Sequence, residues 1–93
     1  ATGSVFADSL QLTSVYNRVT SGAVNTGITL WDAPINTMIW LWNDTGNTIK
    51  LYPNSALTQI NAAGAGVSIS VSTGQCLVIA RTGSSDWYAK AIA

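Results

Sequence analysis

Few side chains in this 93-residue chain are of types that do chemistry. There are four aspartates (Asp8, Asp32, Asp44, Asp86), one cysteine (Cys76), four tryptophans (Trp31, Trp40, Trp42, Trp87) and three tyrosines (Tyr16, Tyr52, Tyr88). Histidine and glutamate are absent. Without an imidazole, the Ser-His-Asp arrangement and histidine metal sites are excluded. A paired-carboxylate site would need two of the aspartates to meet in a cleft. Asp44 and Asp86 instead fall in or beside turn-forming residues, where aspartate commonly bonds its own backbone. Gly64-Ala65-Gly66 lacks the third glycine and the following helix of a dinucleotide loop. Asn43-Asp44-Thr45 fits the N-glycosylation pattern, but it sits where the chain should turn. Cys76 opens the apolar run Cys76 to Ala80 and is expected to be a buried free thiol with no disulfide partner. No catalytic residue, cofactor or metal is expected.

The rings are the remaining chemical handle. Trp and Tyr stack on sugars, and Asn43, Asp44 and Asn47 are polar candidates for sugar hydroxyls. The same ring types fill small cores and subunit interfaces, because they combine a large apolar body with a polar tip. Interface or core is the reading preferred here, with glycan binding as the alternative.

Composition points the same way. Charged residues are only 9% of the chain, against roughly 25% in a typical soluble domain. Four bases (Arg18, Lys50, Arg81, Lys90) balance the four acids, and the net charge is zero. Gripping a phosphate backbone takes several basic side chains on one face, so no nucleic-acid partner is expected. No apolar stretch reaches the length of a membrane-spanning helix, and no membrane partner is expected. The chain opens at Ala1, compatible with loss of an initiator Met or with trimming of a longer product. A surface of Ser, Thr, Asn, Gln and Gly can be covered by neighbouring protein without desolvating many ions.

The elements that position these residues are strands. Period-two alternation recurs at Ile28 to Leu30, Ile39 to Leu41, Ile49 to Leu51 and Val67 to Val71. Gly27 to Trp31 should place Ile28 and Leu30 inward and stop before Pro34. Met38 to Pro53 predicts a β-hairpin around Asp44-Thr45-Gly46-Asn47. In its first strand Ile39, Leu41 and Asn43 share one face, and Met38, Trp40 and Trp42 the other. Ile49 and Leu51 lie on one face of the second strand, with Lys50 and Tyr52 opposite. Both faces of the first strand are apolar, more than a small monomer covers alone. Met38, Trp40, Trp42, Lys50 and Tyr52 are therefore the expected subunit-interface residues, centred on Trp40 and Trp42.

Ser9 to Thr20, with Leu10, Leu12, Val15 and Tyr16, reads as two short strands or an extended arm. A long connection from Asn54 to Gly66 is plugged by Ile60 and has room for one helical turn at Ser55 to Gln59. Val67 to Ser72 should turn three β-branched residues in and three serines out. Two further strands follow, Cys76 to Ala80 and Asp86 to Ile92. Residues 1–93 thus predict one all-β domain, a small antiparallel sandwich or barrel of six to eight short strands. Residues 1–20 are a candidate N-terminal arm.

Taken in order, these pieces resemble a small β-domain of tailed-bacteriophage structural proteins. "GITLWDAP" is similar to the "GV-x-LP-x-A" strand that opens that domain, with Trp31 where the family usually has Pro. An apolar strand ending in Asn43, Gly46-Asn47-Thr48, Tyr52-Pro53, Ile60-Asn61, the strand Val67 to Val71, and Trp87-Tyr88-Ala89 follow in the family's order. The likeness spans two-thirds to three-quarters of the chain. It implies a jelly-roll-like virion part without enzymatic activity: capsid cement (decoration) protein, head fibre or tail-associated protein. The short single domain favours cement, a homotrimer bound to major capsid protein at the capsid surface. Leu10, Leu12, Val15 and Tyr16 would then supply a capsid-contacting arm.

Overall fold

The structure, a computed structural model, describes residues 10–11, 15–24 and 26–92. Leu12 and Asp8 lie outside the described residues. Among the described residues nine strands are formed: β1 (Leu10–Gln11), β2 (Tyr16–Val19), β3 (Gly27–Thr29), β4 (Met38–Asn43), β5 (Ile49–Tyr52), β6 (Gln59–Ile60), β7 (Ile69–Val71), β8 (Cys76–Arg81) and β9 (Asp86–Ala91). They make two sheets, a four-stranded one in the order β1-β3-β5-β7 and a five-stranded one in the order β2-β4-β8-β9-β6. No helix occurs among the described residues, and Ser55 to Gln59 holds a hydrogen-bonded turn. The all-β, two-sheet architecture is as expected.

The connectivity is not. From β1 to β8 the chain changes sheet at every connection, and the early visits to each sheet, β1, β3 and β5 in one and β2 and β4 in the other, run the same way. β1 with β3, β3 with β5, β2 with β4 and β6 with β9 are parallel; only β4 with β8, β5 with β7 and β8 with β9 are antiparallel. The expected antiparallel order is thus replaced by mixed sheets, whose first two turns resemble the rungs of a coil. The expected hairpin from Met38 to Pro53 is corrected to an arch: β4 and β5 belong to opposite sheets. Ile39, Leu41, Ile49 and Leu51 are all fully buried in one core. An arch lets the two apolar faces meet across that core, whereas a hairpin would lay them side by side.

Asn43 holds the arch closed. It is fully buried, and its amide nitrogen donates to the carbonyls of Asn47 (2.8 Å) and Val71 (2.9 Å). Its side-chain oxygen accepts from the Thr45 N–H (3.2 Å) and Thr45 Oγ1 (2.7 Å). Gly46 then turns the chain at φ 80°, a conformation that costs glycine little. A buried amide with all its bonds made is expensive to remove, because the partners stay behind unsatisfied. Asn43→Ala is expected to destabilise the domain by about 2–3 kcal/mol, measured as a lower urea midpoint at unchanged slope. A loss below about 0.5 kcal/mol, the level of an ordinary surface change, would contradict this role.

Several expected placements shift with the connectivity. Ile28 and Leu30 are buried as expected, and Ile60 is a fully buried plug. Val71 faces in, but Ile69 is only partly buried and Val67 is exposed ahead of β7. β8 alternates with Leu77, Ile79 and Arg81 inward, so Cys76 is half-buried on the outward side instead of in the core. Trp87 enters the core, with Nε1 donating to Asn54 Oδ1 at 2.8 Å. The segment expected to be strands or an arm supplies one edge strand to each sheet, β1 and β2.

Candidate interaction face

Strand register brings the outward residues of β2, β4, β8 and β9 into rows. Tyr16, Trp40, Val78 and Lys90 form one row; Arg18, Trp42 and Cys76 a second; Met38, Ala80 and Tyr88 a third. These positions are outward because their alternates Ile39, Leu41, Leu77, Ile79 and Trp87 point into the core. Tyr16 is 74% exposed, Tyr88 52%, Met38 48% and Trp42 42%. Large apolar side chains exposed side by side in this way commonly mark a contact surface.

β2 supplies covers for both β4 tryptophans. The Tyr16 ring stacks on Trp40 with centroids 5.0 Å apart and planes inclined by 17°. The Arg18 guanidinium lies 4.7 Å from the centre of the Trp42 ring, a cation–π arrangement. Arg18 is held there by Asp44, whose Oδ2 accepts from Nη2 at 2.6 Å and from Nε at 3.1 Å. Both partners are substantially exposed, so the ion pair orients Arg18 more than it stabilises the fold. Between the rows lies an open groove of about 360 Å³, lined by Tyr16, Asn17, Arg18, Trp40, Trp42 and Cys76. Its chemistry is that of an apolar contact surface with its one cation already neutralised.

Of the expected interface residues, Met38, Trp40 and Trp42 stand together on this face. Lys50 and Tyr52 do not, a correction that follows from the arch. β5 lies in the other sheet, where Lys50 is half-buried and Tyr52 is buried at 7% exposure. Of the expected arm, Leu10 joins that same other sheet through β1, and Val15 and Tyr16 belong to the β2 edge. Tyr16 therefore joins the aromatic face. Sequence reasoning missed Arg18, Val78, Tyr88 and Lys90 as members. The parity of Leu77 and Ile79 against Cys76 and Val78 was the signal that would have found the β8 row.

The polar candidates for sugar hydroxyls are otherwise engaged. Asn43 is buried, Asn47 donates to the Gly22 carbonyl at 3.0 Å, and Asp44 holds Arg18. The carboxylates also stand apart in their bonding: Asp32 pairs with Arg81 and Asp86 accepts from Gln59 Nε2 at 2.8 Å. Asp44 and Asp86 thus serve other elements where bonds to their own backbones were expected. Among the described residues no group of three or more His, Cys, Asp or Glu comes together as a metal site would require. No family model, curated protein or solved structure matches this chain.

Proposed function

We propose that this protein is a structural part of a tailed-bacteriophage virion: a capsid cement protein that binds the assembled shell as a homo-oligomer. The observation that carries the reading is the outward apolar face of Tyr16, Met38, Trp42 and Tyr88, all exposed, around a half-buried Trp40, on a domain with very little charge. Neighbouring protein covers that face in the assembly, and no catalytic role is assigned to any residue. The virion setting comes from the resemblance of the ordered motifs from Gly27 to Ala89.

Cement acts by linkage: a protein that binds only the assembled shell shifts the equilibrium toward it. At a concentration a hundredfold above Kd the shift is about 2.7 kcal/mol per site. An oligomer that touches several capsid subunits at once adds avidity without new contacts. Shells carrying the protein are expected to withstand higher temperature than shells stripped of it, measured by release of packaged DNA on heating. Equal release temperatures would oppose cement and favour a head-fibre or tail-associated part. Glycan binding is the weaker reading, since one face of each indole is already taken, by Tyr16 over Trp40 and by Arg18 over Trp42.

A further inference from the structure

β2 is the longest of the four edge strands among the described residues; β1 and β6 have two residues each and β7 three. An open edge offers unpaired backbone groups to another chain, and proteins usually blunt it with proline, a bulge or a free lysine. The run Val15-Tyr16-Asn17-Arg18-Val19 has no proline or lysine. Its one charge, Arg18, is folded onto the sheet face by Trp42 and Asp44. On the β4 side, Val15 O accepts from Trp40 N at 2.7 Å and Val19 O from Asp44 N at 2.8 Å. Backbone groups alternate sides along a strand, so Tyr16 and Arg18 direct their N–H and C=O to the open edge.

We infer that β2 pairs antiparallel with β2 of a second copy, across a two-fold axis at Asn17, joining two five-stranded sheets into one. The residues select this register. Centred on Asn17, Tyr16 lies opposite Arg18 of the second copy and Arg18 opposite its Tyr16. These two pairs exchange backbone hydrogen bonds through the groups that face the edge. Val15 lies opposite Val19 of the second copy on the other side of the sheet, and Asn17 opposite its own counterpart. A one-residue slip would set residues of opposite faces against one another. Moving the axis to Arg18 would put two guanidinium groups directly opposite, which is destabilising. Moving it to Tyr16 would set Val15 opposite Asn17 and lose the Val15–Val19 apolar pair. The short run is therefore self-complementary in hydrogen bonding, charge and apolar pairing, as an isologous contact requires. It would also merge two outer faces into one larger surface.

The pairing rests on the self-association in the functional reading, but not on a virion role. Asn17 and its counterpart form a non-hydrogen-bonded pair with Cα atoms about 4.5 Å apart, within the span of a disulfide. In a Cys76→Ser background, Asn17→Cys is expected to convert to a covalent dimer under mild oxidation. Thr20→Cys, exposed but beyond the strand, is expected to stay largely uncross-linked. Val15→Lys alters an exposed side chain and leaves Asn17 intact; it is expected to weaken dimerisation about tenfold by two symmetry-related substitutions. The inference is overturned if Asn17→Cys cross-links no faster than Thr20→Cys, or if Val15→Lys associates as the parent does. A wild-type oligomer of three chains with no Asn17 cross-link overturns the edge pairing while self-association stands. Cross-linking with no effect on shell heat resistance supports the edge pairing and removes the cement reading.

Discussion

Arg81→Ala is expected to cost the domain about 3–4 kcal/mol, a large share of the roughly 5–15 kcal/mol that holds a small protein folded. Arg81 ends β8 with only 8% of its surface exposed. Its guanidinium pairs with Asp32 and donates to the carbonyls of Ala33 (2.7 Å), Ser84 (2.7 Å) and Gly83 (3.3 Å). It also lies 5.5 Å from the centre of the Trp87 ring. One side chain thus ties the loop after β3 to the turn before β9. Asp32 is 81% exposed, so water solvates its charge once Arg81 is gone. The loss comes mainly from the stranded carbonyls and the lost packing on Trp87.

That division of the energy has a consequence for the partner. Asp32→Asn should cost less than about 1 kcal/mol, the range of exposed ion pairs. Arg81→Lys should not rescue stability, since one ammonium cannot span the donors of the planar fork. Urea unfolding of the three variants checks this. An Arg81→Ala midpoint close to wild type, or Asp32→Asn as damaging as Arg81→Ala, would show that the buried carbonyls do not depend on the guanidinium.

Trp40→Ser with Trp42→Ser is expected to leave a folded β-domain that no longer associates through its aromatic face. Both indoles point away from the core formed by Ile39, Leu41, Leu77 and Ile79. Within one copy the changes remove the Tyr16 stack and the Arg18 cation–π contact, worth about 0.5–1.5 kcal/mol each. Between copies the effect is larger, because buried tryptophans typically contribute about 2 kcal/mol or more apiece. Two such losses weaken association by about a thousandfold. Far-ultraviolet circular dichroism should therefore remain that of a β-protein while association through this face disappears. Outright unfolding would instead place the rings in the domain's own core.

The faces of single strands were legible in the sequence, and the partners of those strands were not. Alternation correctly divided Ile39, Leu41 and Asn43 from Met38, Trp40 and Trp42, since period two fixes which side chains share a side. It is silent on whether the next strand lies beside the first or across the core from it. Asp44 to Asn47 suits a hairpin turn, yet the buried amide of Asn43 reaches Val71 in the opposite sheet and converts the turn to an arch. Lys50 and Tyr52 left the candidate face for that reason alone. Parallel pairing was illegible for a related reason: it depends on where the chain returns after residues with no periodic pattern. Arg81 appeared as one of four scattered bases, and only the loop carbonyls gathered around it give it a structural role.

The proposed contact between protein chains is the aromatic face of the five-stranded sheet. Solution mass by light scattering, for wild type beside Trp40→Ser/Trp42→Ser, tests it most directly. The wild type should run at a multiple of the 9.7 kDa chain mass and the double variant at a smaller multiple, no more than the two chains that β2 pairing joins. A wild-type mass of one chain at every concentration, or an unchanged oligomer in the double variant, would contradict it.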